Sequence, residues 1–439
     1  MCGNVSNAFS NQASTDPIWS LNEGYGYGEN ILYSIISCRD GGFLTTGTVD
    51  LGRCSVVLLR INDNGEIIWR SVFQDFPSQV GREVIECRDG GYAIIGCVPT
   101  TNYYAILLRI DDSGLISWIR TFDQPPFFNQ GLALVECPSG GFAFAGSILD
   151  SSLQNSDFWL VRTDAFGNLA WEVTYGGNED DICYSLAVTY DQGFILAGST
   201  KSYGEGSEDA WVVKTDMNGV EEWNTTYGGT SREVCNDIIT TSLGQYVFVG
   251  ETADTENTLP DGFACSISTN GKIQWNTSLG GNLLDICYSI IECVGGGYAI
   301  TGRTSGNLWL VRLNGTGQYL WSKSYGGTEE DEGRSILQAA NGDLVMVGMS
   351  TVEQWHEAHL RKHAWVIRVP NAPPQDATTP KYGSPNIILI SAGTGLAVLV
   401  LLGSYLLWFR SQREISTPYT KPSKQILEKS FQSPRLLED

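Results

Sequence analysis

Seven phased tryptophans, one glycine closing an apolar run in each repeat, and no helix-length pattern within the repeats predict an all-β fold, a seven-bladed β-propeller of four-stranded blades. The tryptophans are Trp19, Trp69, Trp118, Trp171, Trp223, Trp275 and Trp321, spaced by 50, 49, 53, 52, 52 and 46 residues. The closing glycines are Gly47, Gly96, Gly146, Gly198, Gly250, Gly302 and Gly348. The composition agrees: 50 glycines and 11% aromatic residues against only 17% charged residues in 439 suit a turn-dense β protein and exclude a disordered chain.

The elements follow in order. Residues 1–17 are polar and read as a disordered leader without the apolar core of a secretory signal. A lone strand follows around Ile18–Leu21, carrying the first tryptophan. The pattern then runs through six units of strands A, B, C and D. In the sixth unit these are Cys287–Cys293, Gly297–Gly302, Leu308–Leu313 and Gln318–Tyr325, each β-branched or aromatic and bounded by turn residues. A seventh unit supplies A, B and C only and ends at Val369 before Pro370. The first strand is therefore expected to complete blade seven, which leaves no free sheet edge at the seam. Residues 370–385 form a Pro- and Thr-rich linker. Residues 386–409 run for 24 positions without a charge, about 36 Å as a helix, and read as one transmembrane span. The tail, 410–439, holds six Lys or Arg against four acids.

That basic tail should stay cytoplasmic, which places the propeller outside the cell membrane. A start upstream of Met1, another export route, or a cytosolic tail-anchored propeller are the alternatives that the polar leader leaves open. The net charge of −22 excludes nucleic acid as a partner.

Six units carry the turn polar-x-x-G-x-x-x-W, led by Asn62, Asp111, Asp164, Asp216, Ser268 and Asn314. These turns resemble the tryptophan-docking repeats of pyrroloquinoline-quinone-type propellers and of related cell-surface propeller proteins of archaea and bacteria. The resemblance covers Ile18 to Val369. It implies the fold and the docking role of the seven tryptophans. The acid lies one residue closer to the glycine than in quinoproteins, and neither the adjacent cysteine pair nor the eighth blade is present. The spacing also differs from a sialidase-like Asp box.

Candidate functional residues come from the loops. Strand order puts the B–C and D–A connections on one face, and this face gathers acids. Glu179, Asp180, Asp181, Asp285, Glu329, Glu330, Asp331 and Glu332 are the candidate ligand-binding residues, since variable loops on a rigid scaffold are where binding resides. Asp180, Asp181 and Asp285 are candidate calcium ligands. His356, His359 and His363 share one predicted loop at a spacing that can hold a transition metal, without the spacing of a zinc protease. Basic residues recur on strand C (Arg60, Arg109, Arg162, Lys214, Arg312, Arg368), placed to pair with the turn acid two residues on or with a neighbouring strand. Most of the eleven cysteines repeat at equivalent positions and read as small apolar residues between blades, with Cys54 and Cys97 placed to pair. The expected function is a surface module binding a protein, glycan or cation through the acidic loop face. The alternatives are an enzyme, either a quinone-cofactor oxidoreductase or a glycan-cleaving one, and a cytosolic scaffold.

Overall fold

The computed structural model describes residues 17–24, 28–74, 80–98, 103–122, 128–149, 155–253, 259–281, 283–353, 360–373 and 391–392. Every regular element among them is a strand. Seven antiparallel sheets form, each with its strands in sequence order except at the seam. Blade four shows the plan: A is Asp181–Val188, B is Phe194–Thr200, C is Asp209–Thr215 and D is Glu221–Gly228. Blade seven takes A, B and C from Asp331–Gln338, Leu344–Glu353 and Leu360–Val369, and its D strand is Trp19–Glu23. Trp19 pairs with Arg368 and Glu23 with Ala364, so the first strand closes the ring as the repeat frame requires.

The polar turn residue explains why strands C and D always reverse at the same place. The Asp111 carboxylate accepts the backbone N–H groups of Ser113 and Leu115 at 2.9 and 3.0 Å, the geometry of an Asx turn. Asn62, Asp164, Asp216 and Asn314 do the same in their own blades. The glycine three residues on adopts a positive φ, 84° at Gly114. Against that bare turn lies the tryptophan of the preceding blade. A Cβ on Gly65 would meet the Trp19 ring at 2.6 Å, and one on Gly271 the Trp223 ring at 3.2 Å. The indole N–H groups of Trp19 and Trp223 donate to Asp63 and Thr269 carbonyls, both at 3.0 Å. Each blade is thus fastened to the next at its outer edge.

Between the blades lie seven apolar clusters, one per interface and including the seam. Cys38, Cys87, Cys137, Cys183, Cys235, Cys265, Cys287 and Cys293 belong to these clusters. All ten described cysteines carry free thiols, Cys54 and Cys97 among them. Four of the six strand C bases are paired with acids, none of them the turn acid two residues on, and Lys214 meets Glu222 on the neighbouring strand D at 2.8 Å. Arg60 meets Asp40 at 2.5 Å, Arg109 meets Asp89 at 2.7 Å and Arg368 meets Asp343 at 3.0 Å. Each of these three acids sits in the A–B hairpin of the same blade.

The predicted span 386–409 lies outside the described residues save Ser391–Ala392, which pairs with Tyr227 and Gly228 on the edge of blade four. No helix among the described residues is long and apolar enough to cross a membrane.

Candidate functional site

The closing glycines have a second task, and it builds the site. Each lies opposite an early residue of strand A, where the ladder skips one position: Gly198 pairs with Cys183 and Ala197 with Ser185, leaving Tyr184 unpaired. The same bulge recurs in all seven blades. It brings the backbone of strand A so close that a Cβ on Gly198 would lie 1.9 Å from the Ile182 carbonyl. A β-bulge re-aims the extra side chain. Strand A is the innermost strand, so these seven residues ring the axis: Tyr33, Arg82, Leu132, Tyr184, Asn236, Tyr288 and Arg334. All are half-buried.

Their contacts run from blade to blade. The Arg82 guanidinium lies over the Tyr33 ring at 4.5 Å, and Arg334 over Tyr288 at 4.1 Å. Asn236 donates to the Cys287 carbonyl at 2.9 Å. On the loop side, acids brace Arg334 of the ring and Arg232, which lies outside it. Glu332 holds Arg334 at 2.7 Å, while Glu208 and Glu251 clamp Arg232 at 2.7 and 2.6 Å. Burial opposes the charge of Arg334, but Glu332 together with the neighbouring Tyr288 and Tyr33 raises the pKa above its usual value. Burial pushes the Tyr184 and Tyr288 phenols up to about 12, so both remain neutral donors at ordinary pH.

One residue deeper, a polar belt stitches neighbouring blades. Val84 N–H donates to Ser34 at 3.3 Å, Ile238 N–H to Ser185 at 3.2 Å and Ile290 N–H to Asp237 at 2.9 Å. Leu134 N–H donates to Glu83 in the same manner. Burial pushes the Glu83 carboxyl up to about 8, and the charge of Asp237 on blade five adds to the effect. Asp237 is itself pushed up by burial.

The acids predicted from the loops lie on three D–A connections, and each main member holds its own loop. Asp181 accepts from Gly177 N–H and the Ser202 hydroxyl, both at 2.8 Å, and from Thr200. Asp285 accepts from Gly281 N–H at 3.0 Å, and Asp331 from Gly327 and Thr351 N–H groups at 2.8 and 3.0 Å. Glu233 fills the same role in blade five, with Gly229 and Thr252. Asp180 pairs with Lys201 at 3.2 Å, and Glu330 with Arg303 at 2.8 Å. Glu179 shares the first of these connections and Glu329 the third. No group of three or more metal-ligating side chains comes together among the described residues. His363, expected in a loop with two other histidines, lies instead on strand C opposite Ser350, with its ring against Gly24. His356 and His359 lie outside the described residues.

No protein-family model and no curated protein matches the chain. Solved structures do. A protein from Lactobacillus plantarum is 12% identical, covering 69% of this chain and 86% of its own, with a TM-score of 0.47. A protein of unknown function from Dyadobacter fermentans is 9% identical, covering 81% and 99%, at 0.46. A glucose dehydrogenase is 13% identical, covering 80% and 98%, at 0.42. The resemblance ends at fold. The bulge ring was missed by sequence reasoning because its members are not of one residue type. A signal did exist: each follows a small or apolar residue (Leu32, Gly81, Gly131, Cys183, Cys235, Cys287, Gly333) that pairs with a closing glycine.

Proposed function

We propose that this chain is a binding protein, with its propeller outside the cell and residues 386–409 released from the edge of blade four to anchor it in the membrane, that engages a protein or glycan ligand on the loop face at the axial ring. One observation carries the reading. Five of the seven bulge positions are Tyr or Arg, residue types enriched in binding hot spots, although the bulge itself accepts Leu132 and Asn236 equally well. The stacked pairs Tyr33–Arg82 and Tyr288–Arg334 offer flat, pre-ordered faces that lose little entropy on binding. The loop acids support the reading indirectly, by fixing the connections around the ring.

The test uses intact cells displaying the full chain, probed with polymer-linked glycans and a displayed peptide library. Probes captured by the wild type should lose at least tenfold in retention on the double variant Tyr288→Ala, Arg334→Ala. They should be retained by Arg39→Ala, on the opposite face. Equal loss in both variants, or no capture at all, defeats the binding reading. Capture seen only after permeabilisation defeats the orientation and leaves the ring in place.

A further inference from the structure

Blades four and six share one frame and differ in one connection. In blade four, strands B and C are joined by residues 201–208. Tyr203 of this connection folds back over its own blade. Its ring lies 5.3 Å from that of Trp211 with 42° between the planes, and its hydroxyl donates to the Gly176 carbonyl at 2.7 Å. In blade six the same two strands are joined by Ser305 and Gly306 alone, with φ of 50° and 85°. Two positive φ values mark the tight turn of a two-residue hairpin. Such a turn has no side chain that can reach back over the blade.

Where Tyr203 sits in blade four, blade six has a hollow of about 310 Å³. Its wall repeats the blade-four frame position for position. Trp309 stands for Trp211, each pairing with a closing glycine, Gly302 or Gly198. Thr304 stands for Thr200, and Gly280 and Gly281 for Gly176 and Gly177. Lys323 and Ser324 line the outer side. The volume is at the lower end of the range for small-ligand pockets, about 300–1,000 Å³, enough for one ring.

We infer that this hollow is a socket for a tyrosine side chain presented by a partner protein, its ring set against Trp309 and its hydroxyl donating to the Gly280 carbonyl. The chain itself shows which side chain the frame accepts, because Tyr203 already occupies the equivalent place. The inference shares with the proposed function the reading of the loop face as the binding face, but it concerns different residues.

The probe is N-acetyltyrosinamide, followed by saturation-transfer NMR with the full chain in nanodiscs. The wild type should bind it at millimolar concentration. N-acetylphenylalaninamide, which lacks the hydroxyl, should bind several-fold more weakly, and N-acetylleucinamide weaker still. Replacing Ser305–Gly306 by residues 201–208 supplies an internal tyrosine and should abolish binding. Tyr203→Ala should open a second socket and double the bound probe. Arg39→Ala, on the opposite face, should leave binding unchanged; the tyrosine probe reads the socket and the captured glycans and peptides read the ring, which separates failure of one from failure of the other. The socket is refuted if the tyrosine probe does not bind, if binding survives the loop graft, or if leucine serves as well. Preferential binding of methyl glucoside would assign the hollow to a sugar and also refute it.

Discussion

At Gly302 a single added carbon tests the bulge on which the axial ring depends. A Cβ there would lie 1.8 Å from the Ile286 carbonyl, backbone that cannot step aside, whereas one on Gly281 meets nothing within 4 Å. Gly302→Ala should therefore cost roughly 2–3 kcal/mol and lower the thermal midpoint by several degrees, with Gly281→Ala near neutral; calorimetry of both variants decides it. Glu83 allows a second test. Its ordinary pKa is 4.5 and burial in the folded chain raises it to about 8. Between those values the folded state binds more protons than the unfolded one, so stability is full below 4.5 and falls as pH rises towards 8. Asp237, also raised, acts in the same direction. The thermal midpoint should drop from pH 5 to 8.5 in the wild type, and Glu83→Gln should flatten much of that slope. A wild-type midpoint that is level across this range would show that Glu83 is ionised in the fold.

At the scale of strands, the repeat was legible because every blade needs the same few atoms in the same places. A carboxamide or carboxylate starts the C–D turn, a glycine leaves room for the neighbouring tryptophan, and another accommodates the bulge. Boundaries slipped where a polar residue opens a strand. Strand A of blade six begins at Asp285, two residues before the predicted Cys287, because the aspartate pairs with Thr304 while holding its loop. The loop acids were legible as a cluster in sequence, but the hydrogen bonds by which Asp181, Asp285 and Asp331 hold their own connections were not. A carboxylate four residues after the second glycine of Tyr-Gly-Gly closes the D–A connection, which a charge count cannot show. The socket in blade six was invisible because it is the consequence of a loop being short. Closure by the first strand was read from the frame of the repeat alone. Removing residues 1–22 should strip strand C of blade seven of its outer partner, expose that strand as a new edge, and cause aggregation or a marked fall in midpoint. A synthetic peptide spanning residues 17–24 should restore part of the loss. A truncated chain that melts like the intact one would count against the closure.

For the whole molecule, seven similar interfaces in a ring mean that no blade is dispensable and none dominates. The axial ring draws one residue from each blade, so it is complete only when all seven are assembled. Closure adds a constraint in time. Trp19 and Arg368 are partners but stand 349 positions apart in the chain. Ribosomes add roughly 5–20 residues per second, so the first strand waits on the order of 20–70 s for its partner to be made. Through that interval its ladder groups have no neighbour, and blades one to six can form only an open arc. The seam is thus the last part of the propeller to be completed during synthesis, and the stage at which a nascent chain is most exposed to pairing with another copy of itself.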